Sequence, residues 1–202
     1  MGKTLKERQI KKRRNNRRAV LLILFFVLIG WLAYQWLWYK PRQVKNGPAT
    51  LARIFTGHRH EVNAVQFSPD GTMLASGSVD STLKIWGRDN GKVVRSFAHP
   101  MGITALAYSP DGRQIVTSCY DAIIRLWNVS DGNLLRTFQG HTGTTWTVAF
   151  SADGKTIASA SEDLSIKLWD AGSGTLMHTL KGHGRNIWSI RFSPDGNQLV
   201  SC

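Results

Sequence analysis

A histidine, a hydroxyl residue, an aspartate and a tryptophan recur together along this sequence. The sets are His58/Ser76/Asp80/Trp86, His99/Thr117/Asp121/Trp127 and His141/Ser159/Asp163/Trp169. Taken once, a hydroxyl, an imidazole and a carboxylate are the parts of an activated nucleophile, in which the carboxylate orients the imidazole and the imidazole takes the hydroxyl proton. Taken three times at equivalent positions they argue against catalysis, because such a site occurs once, in asymmetric surroundings. The same groups also make a donor–acceptor chain from indole N–H through hydroxyl and imidazole to carboxylate. A structural network inside a repeated unit is therefore expected, with about 1–3 kcal/mol lost when one member is removed and its partners stay buried. No catalytic residue is assigned. The histidines fall in separate units, so no metal site is assigned either, and no cofactor is implied.

The elements that position these residues follow from the spacing. His58, His99, His141 and His183 are separated by 41, 42 and 42 residues, and Trp86, Trp127 and Trp169 by 41 and 42. Between them recurs a turn: SPDG at 68–71, 109–112 and 193–196, and SADG at 151–154. Proline presets φ, and glycine supplies the positive φ needed to re-enter a strand. Around each turn lie short β-branched runs. The first unit reads VNAVQF, TMLASGS, STLKIW and KVVRSFA. The second reads ITALAY, RQIVTS, AIIRLW and NLLRTFQ, and the third TWTVAF, KTIASAS, LSIKLW and TLMHTLK. This predicts four strands per unit and no helical period.

A period near 42 with Gly-His early and Trp late resembles the WD-repeat family over residues 51–202. The pattern is imperfect: only Trp169-Asp170 is a literal Trp-Asp, Trp86 is followed by Gly87, Trp127 by Asn128, and Ala98-His99 replaces Gly-His. The resemblance implies an all-β fold, a β-propeller of four-stranded blades, and the hydrogen-bonded tetrads already described. The blades are expected at about 58–98, 99–140, 141–182 and 183–202. That makes three full blades and part of a fourth, so the chain reads as a fragment of a longer propeller or as a truncated reading frame. Residues 49–58 (ATLARIFTGH) read as an outermost strand with no blade of its own, of the kind that completes a last blade in the family.

The resemblance also implies that the face bearing the His and Asp loops holds proteins or peptides, since loops on a rigid scaffold carry recognition. Loop position makes Arg59, His60, Tyr120, Glu162 and Arg185 the candidates. Trp146 and Trp188 stand five residues after their histidines and share a strand face with Val148/Phe150 and Ile190/Phe192. Packing between blades and an aromatic anchor at the channel mouth are both open to them.

Ahead of the repeats, residues 1–18 hold nine Lys/Arg against Glu7, for +8 of the +13 net charge. Residues 19–39 (AVLLILFFVLIGWLAYQWLWY) are uncharged, with aromatics crowded at one end. A helix of this length, rising about 1.5 Å per residue, spans the roughly 30 Å hydrocarbon core of a bilayer. The reading is a basic tail (1–18), one transmembrane helix (19–39), a polar linker (40–50) and the propeller (51–202). The basic excess before the span places the N-terminus in the cytosol and the propeller on the extracytoplasmic side.

Removing the tail leaves +5 over the other 184 residues, with no basic stripe, which excludes a nucleic-acid partner. Cys119 and Cys202 have no paired spacing. No small-molecule site is evident. The function expected is a membrane-anchored scaffold for protein–protein interaction that is not an enzyme. The alternative is a sensor or accessory propeller of a larger membrane-bound enzyme or signalling protein whose catalytic part lies elsewhere.

Overall fold

A computed structural model describes residues 53–202. The basic tail, the apolar segment 19–39 and the linker 40–50 lie outside the described residues. Among those described, no helix is long and apolar enough to cross a membrane.

The described residues form fourteen strands in four antiparallel sheets. The first sheet contains β1 (Val62–Phe67), β2 (Met73–Ser78), β3 (Thr82–Gly87) and β4 (Val93–Ala98), hydrogen-bonded in chain order. The second contains β5 (Ile103–Tyr108), β6 (Gln114–Cys119), β7 (Ile124–Asn128) and β8 (Leu134–Phe138). The third contains β9 (Thr145–Phe150), β10 (Thr156–Ser161), β11 (Ser165–Asp170) and β12 (Leu176–Lys181), and the fourth β13 (Ile190–Phe192) and β14 (Leu199–Ser201). Four-stranded sheets of this kind fit a propeller whose innermost strands are β1, β5, β9 and β13.

The SPDG turns set each β1–β2 type hairpin. The Ser68 hydroxyl donates to Asp70 Oδ1 at 2.6 Å, and the Thr72 N–H donates to the same oxygen at 3.0 Å. Gly71 closes the turn at φ 69°, and the equivalents at Gly112, Gly154 and Gly196 do the same at 71°, 72° and 74°. The Ser68 hydroxyl, helped by Thr72, holds the exposed Asp70 carboxyl below its ordinary range.

The sheets meet through apolar side chains packed against the face of the sheet before. Ile103, Leu106 and Tyr108 of β5 share a core with Ala75, Leu83 and Ile85 of the first sheet. Val148 of β9 packs with Ala107, Val116 and Leu126. Ile187 and Ile190 pack with Ala149, Ala158 and Ala160. Side chains stitch the inner strands across these seams: Asn63 Nδ2 donates to the Ile103 carbonyl at 2.9 Å, and the Tyr108 N–H to Gln66 Oε1 at 2.9 Å.

The outer strand expected over 49–58 is corrected in part. Residues 49–52 lie outside the described residues, and residues 53–58 form no ladder. An outermost strand needs a third strand beside it, and the fourth sheet holds only β13 and β14. Phe55 instead lies edge-on to Trp86, with centroids 5.8 Å apart.

Gly77 shows how tight the seam is. A Cβ there would sit 2.5 Å from Ile103 Cγ2 and 3.1 Å from its Cβ. Gly77→Ala is expected to push the first two sheets apart and to cost about 1–3 kcal/mol, read as a lower urea midpoint. An unchanged midpoint would mean that the seam has slack.

Candidate functional site

The recurring polar residues converge inside the sheets. In the first, Trp86 Nε1–H donates to Ser76 Oγ at 2.7 Å, Ser76 Oγ meets His58 Nε2 at 2.7 Å, and His58 Nδ1 meets Asp80 Oδ2 at 2.9 Å. In the third, Trp169, Ser159, His141 and Asp163 repeat the chain with every contact at 2.8 Å. A carboxylate only accepts, so Nδ1 carries the imidazole hydrogen, and Nε2 accepts from the hydroxyl. The hydroxyl residues are almost wholly buried, Ser76 at 4% and Ser159 at 0% exposure.

The aspartates are held for this task from several sides. Burial alone would raise the Asp80 carboxyl, but the Thr82 hydroxyl, the Arg59 N–H and His58 together hold it well below the usual range. Asp163 behaves likewise, opposed by burial but brought to about 2 by Ser165, His141 and the Thr142 N–H. The Thr82 and Ser165 hydroxyls each donate to the second carboxylate oxygen at 2.6 Å.

The second sheet departs from this pattern. Trp127 Nε1 donates to Thr117 Oγ1 at 3.0 Å, and Thr117 meets His99 Nε2 at 2.9 Å. Asp121, however, does not reach His99. It takes both arms of Arg125, at 2.7 and 3.2 Å. The cause is local. Ile123 stands where Thr82 and Ser165 stand in the other units, so the carboxylate lacks its hydroxyl partner, and Arg125 replaces Lys84 and Lys167 with a planar fork that fits a carboxylate. His99 Nδ1 is left buried with no partner among the described residues. Burial, and then the nearby Arg125 charge, hold the His99 pKa down at about 4. Cys119 replaces Ser78 and Ser161, whose hydroxyls accept from the Asp80 and Asp163 N–H groups. Burial pushes its thiol up to about 12, far from a thiolate nucleophile. In the fourth sheet His183 Nε2 and Ser201 Oγ meet at 2.7 Å.

The candidate face lies at the end of the sheets where these loops gather, since the Arg59 N–H donates to Asp80 in the β2–β3 turn. Tyr120, Trp146 and Trp188 are brought into one cluster. Tyr120 meets Trp146 edge-on at 5.8 Å and 87°, and Trp188 lies over Trp146 with centroids 4.5 Å apart. Trp188 is 60% exposed. Trp146 Nε1 has no acceptor among the described residues. Arg59, His60, Glu162 and Arg185 are exposed on loops, and among the described residues no hydrogen bond or ion pair joins their side chains to the cluster. The cluster crowns a groove of about 450 Å³ along the inner strands, continued at the other end by one of about 430 Å³. Among the described residues no group of His, Cys, Asp and Glu converges as a metal site. Sequence reasoning missed Asn63, Gln66 and Arg191, which stand on the inner strands. Ile123 and Arg125 were legible by aligning the units.

His99 gives a signed prediction. Its folded pKa is depressed, so between pH 6.5 and about 4 the unfolded chain binds the proton and the native chain does not. Stability is therefore whole above this window and falls as pH drops through it. Ile123→Thr with Arg125→Lys returns Asp121 to His99, raising stability by about 1 kcal/mol and moving the His99 titration upward. Urea unfolding and an NMR titration of the imidazole read both; an unmoved titration would refute the local cause.

The sequence model of the WD40 family, described as WD domain, G-beta repeat, matches residues 49–87, 91–128, 132–170 and 174–202. The chain is 45% identical over 51 residues to Ribosome assembly protein 4 of Chaetomium thermophilum, which is 25% of this chain and 10% of that protein. It is 47% identical over 47 residues to WD repeat-containing protein 88 of Homo sapiens, covering 23% of this chain and 10% of that one. It is 55% identical over 42 residues to WD40 repeat-containing protein HOS15 of Arabidopsis thaliana, covering 21% and 7%. The matched stretches span about a tenth or less of the length of these curated relatives. With the family model matching most of its length, the chain belongs to the WD domain, G-beta repeat family.

Proposed function

We propose that this chain is a membrane-anchored scaffold that holds a protein or peptide partner on the Tyr120/Trp146/Trp188 face and has no catalytic activity of its own. The observation that carries the reading is the exposed Trp188 tilted against Trp146, with ring centroids 4.5 Å apart, at the mouth of the groove. A large aromatic side chain left in water at the end of a rigid scaffold is the kind of anchor on which binding energy concentrates. Membership of a repeat family supports the same reading, as do relatives whose names speak of ribosome assembly. The hydroxyls of the polar networks are buried, which weighs against a hydrolase. Arg59, His60, Glu162 and Arg185 surround the cluster as the polar rim of such a site.

The anchor is residues 19–39, with the N-terminus cytosolic and the repeats on the extracytoplasmic side, as the basic excess of residues 1–18 directs.

Affinity purification from native membranes tests the scaffold. The full chain is expected to recover a defined partner, and Tyr120→Ala with Trp188→Ala to recover almost none, two hot-spot truncations at about 2 kcal/mol each weakening binding on the order of a thousandfold. Equal recovery by both would refute the face.

The anchor has its own test. The full chain should resist alkaline carbonate extraction and a variant lacking residues 19–39 should not. Cys202 is exposed and Cys119 buried, so a membrane-impermeant maleimide on intact cells should label Cys202. Labelling only after permeabilisation would reverse the orientation.

A further inference from the structure

The inner strands carry one position that changes character along the chain. Eight residues after each histidine stand Gln66, Ala107, Ala149 and Arg191. Ala107 and Ala149 are sunk in the seams between sheets, and Gln66 accepts from the Tyr108 N–H. Arg191 is exposed and lines both ends of the groove, where it is the one charged side chain among the described residues. Its Nη1 donates to the adjacent Ile190 carbonyl at 2.8 Å, which steadies the guanidinium. No carboxylate among the described residues pairs with it.

A steadied guanidinium with unused donors, set in a groove with no other charge, selects for an anion. Its planar fork matches a carboxylate on two hydrogen bonds. A Lys or Arg brought to the same place would be repelled. Beside it at the mouth, Trp188 offers a flat apolar surface. The two ends together are large enough for several side chains.

We propose that the groove takes an extended acidic segment of a partner protein, with an Asp or Glu carboxylate on Arg191 and a neighbouring apolar side chain laid on Trp188. This rests on the interaction reading above and names the chemistry of the partner.

Fluorescein-labelled decapeptides with one leucine and either two glutamates, two glutamines, two lysines or two phosphoserines, titrated by anisotropy onto the full 202-residue chain, test it. The glutamate peptide is expected to bind about tenfold more tightly than the glutamine peptide, as one charge-assisted bidentate contact provides. Arg191→Ala should erase that difference, Arg191→Glu should invert the preference towards lysine, and Arg191→Lys should keep part of it. Circular dichroism and the thermal midpoint check that each variant is folded.

A glutamate preference that survives Arg191→Glu overturns the proposal. So does a variant set that shifts the thermal midpoint but not affinity, which would make Arg191 a strut between sheets. Phosphoserine binding far tighter than glutamate overturns the carboxylate assignment. Equal binding of all four peptides overturns the charge argument while the interaction reading stands, and no binding at all overturns the proposal and leaves that reading to the Tyr120/Trp188 double variant.

Discussion

The fold depends on an indole N–H that has no water to bond to. Trp86, Trp127 and Trp169 sit inside their sheets at 2–8% exposure, each with its nitrogen on a hydroxyl at 2.7–3.0 Å. A buried donor without an acceptor costs more than the bond gains when made, so the hydroxyl on the neighbouring strand is obligatory. Once the hydroxyl is fixed, its own proton needs an acceptor, and the imidazole supplies it. The imidazole then needs an acceptor for its second nitrogen. One apolar burial event therefore dictates a chain of polar choices that ends at a loop aspartate and fixes where that loop stands.

The second sheet shows what the last link of that chain decides. It keeps the indole, hydroxyl and imidazole, so its strands stay in register, and it loses the contact between imidazole and carboxylate without losing the fold. The bidentate pair of Asp121 with Arg125 shows that the carboxylate's allegiance turns on two neighbours, an aliphatic Ile123 where the other units have a hydroxyl and an Arg125 where they have a lysine. The network is thus strict at its buried end and permissive at its loop end, which is also the end where a recognition surface must vary.

Much of this was legible in the sequence because the repeat writes the same physics several times. The runs VNAVQF, ITALAY and TWTVAF coincide with β1, β5 and β9, and the other strands of the first three sheets begin within two residues of the expected start. What escaped was whatever belongs to one copy alone. Asp121 looked identical to Asp80 and Asp163 because its new partner is set by Arg125, four residues away, and not by its own type. Arg191 had no motif to announce it, since its meaning comes from the neutral residues at the same place in the other units. The aromatic cluster was half visible. Period two placed Trp146 and Trp188 on a seam-facing side, but the contact with Tyr120 comes from a loop of the preceding sheet.

The seams between sheets, where apolar residues of one inner strand pack onto the bed formed by the sheet before it, also set a direction in time. Strand pairing within each sheet joins neighbours in sequence, and each seam joins a sheet to the next one in sequence. As a ribosome extends the chain, every bed is complete before the strand that fills it emerges. Units that contact only their neighbours can then order themselves one after another, without waiting for a distant partner. The 42-residue beat that organises the structure is in this sense also a schedule for its synthesis.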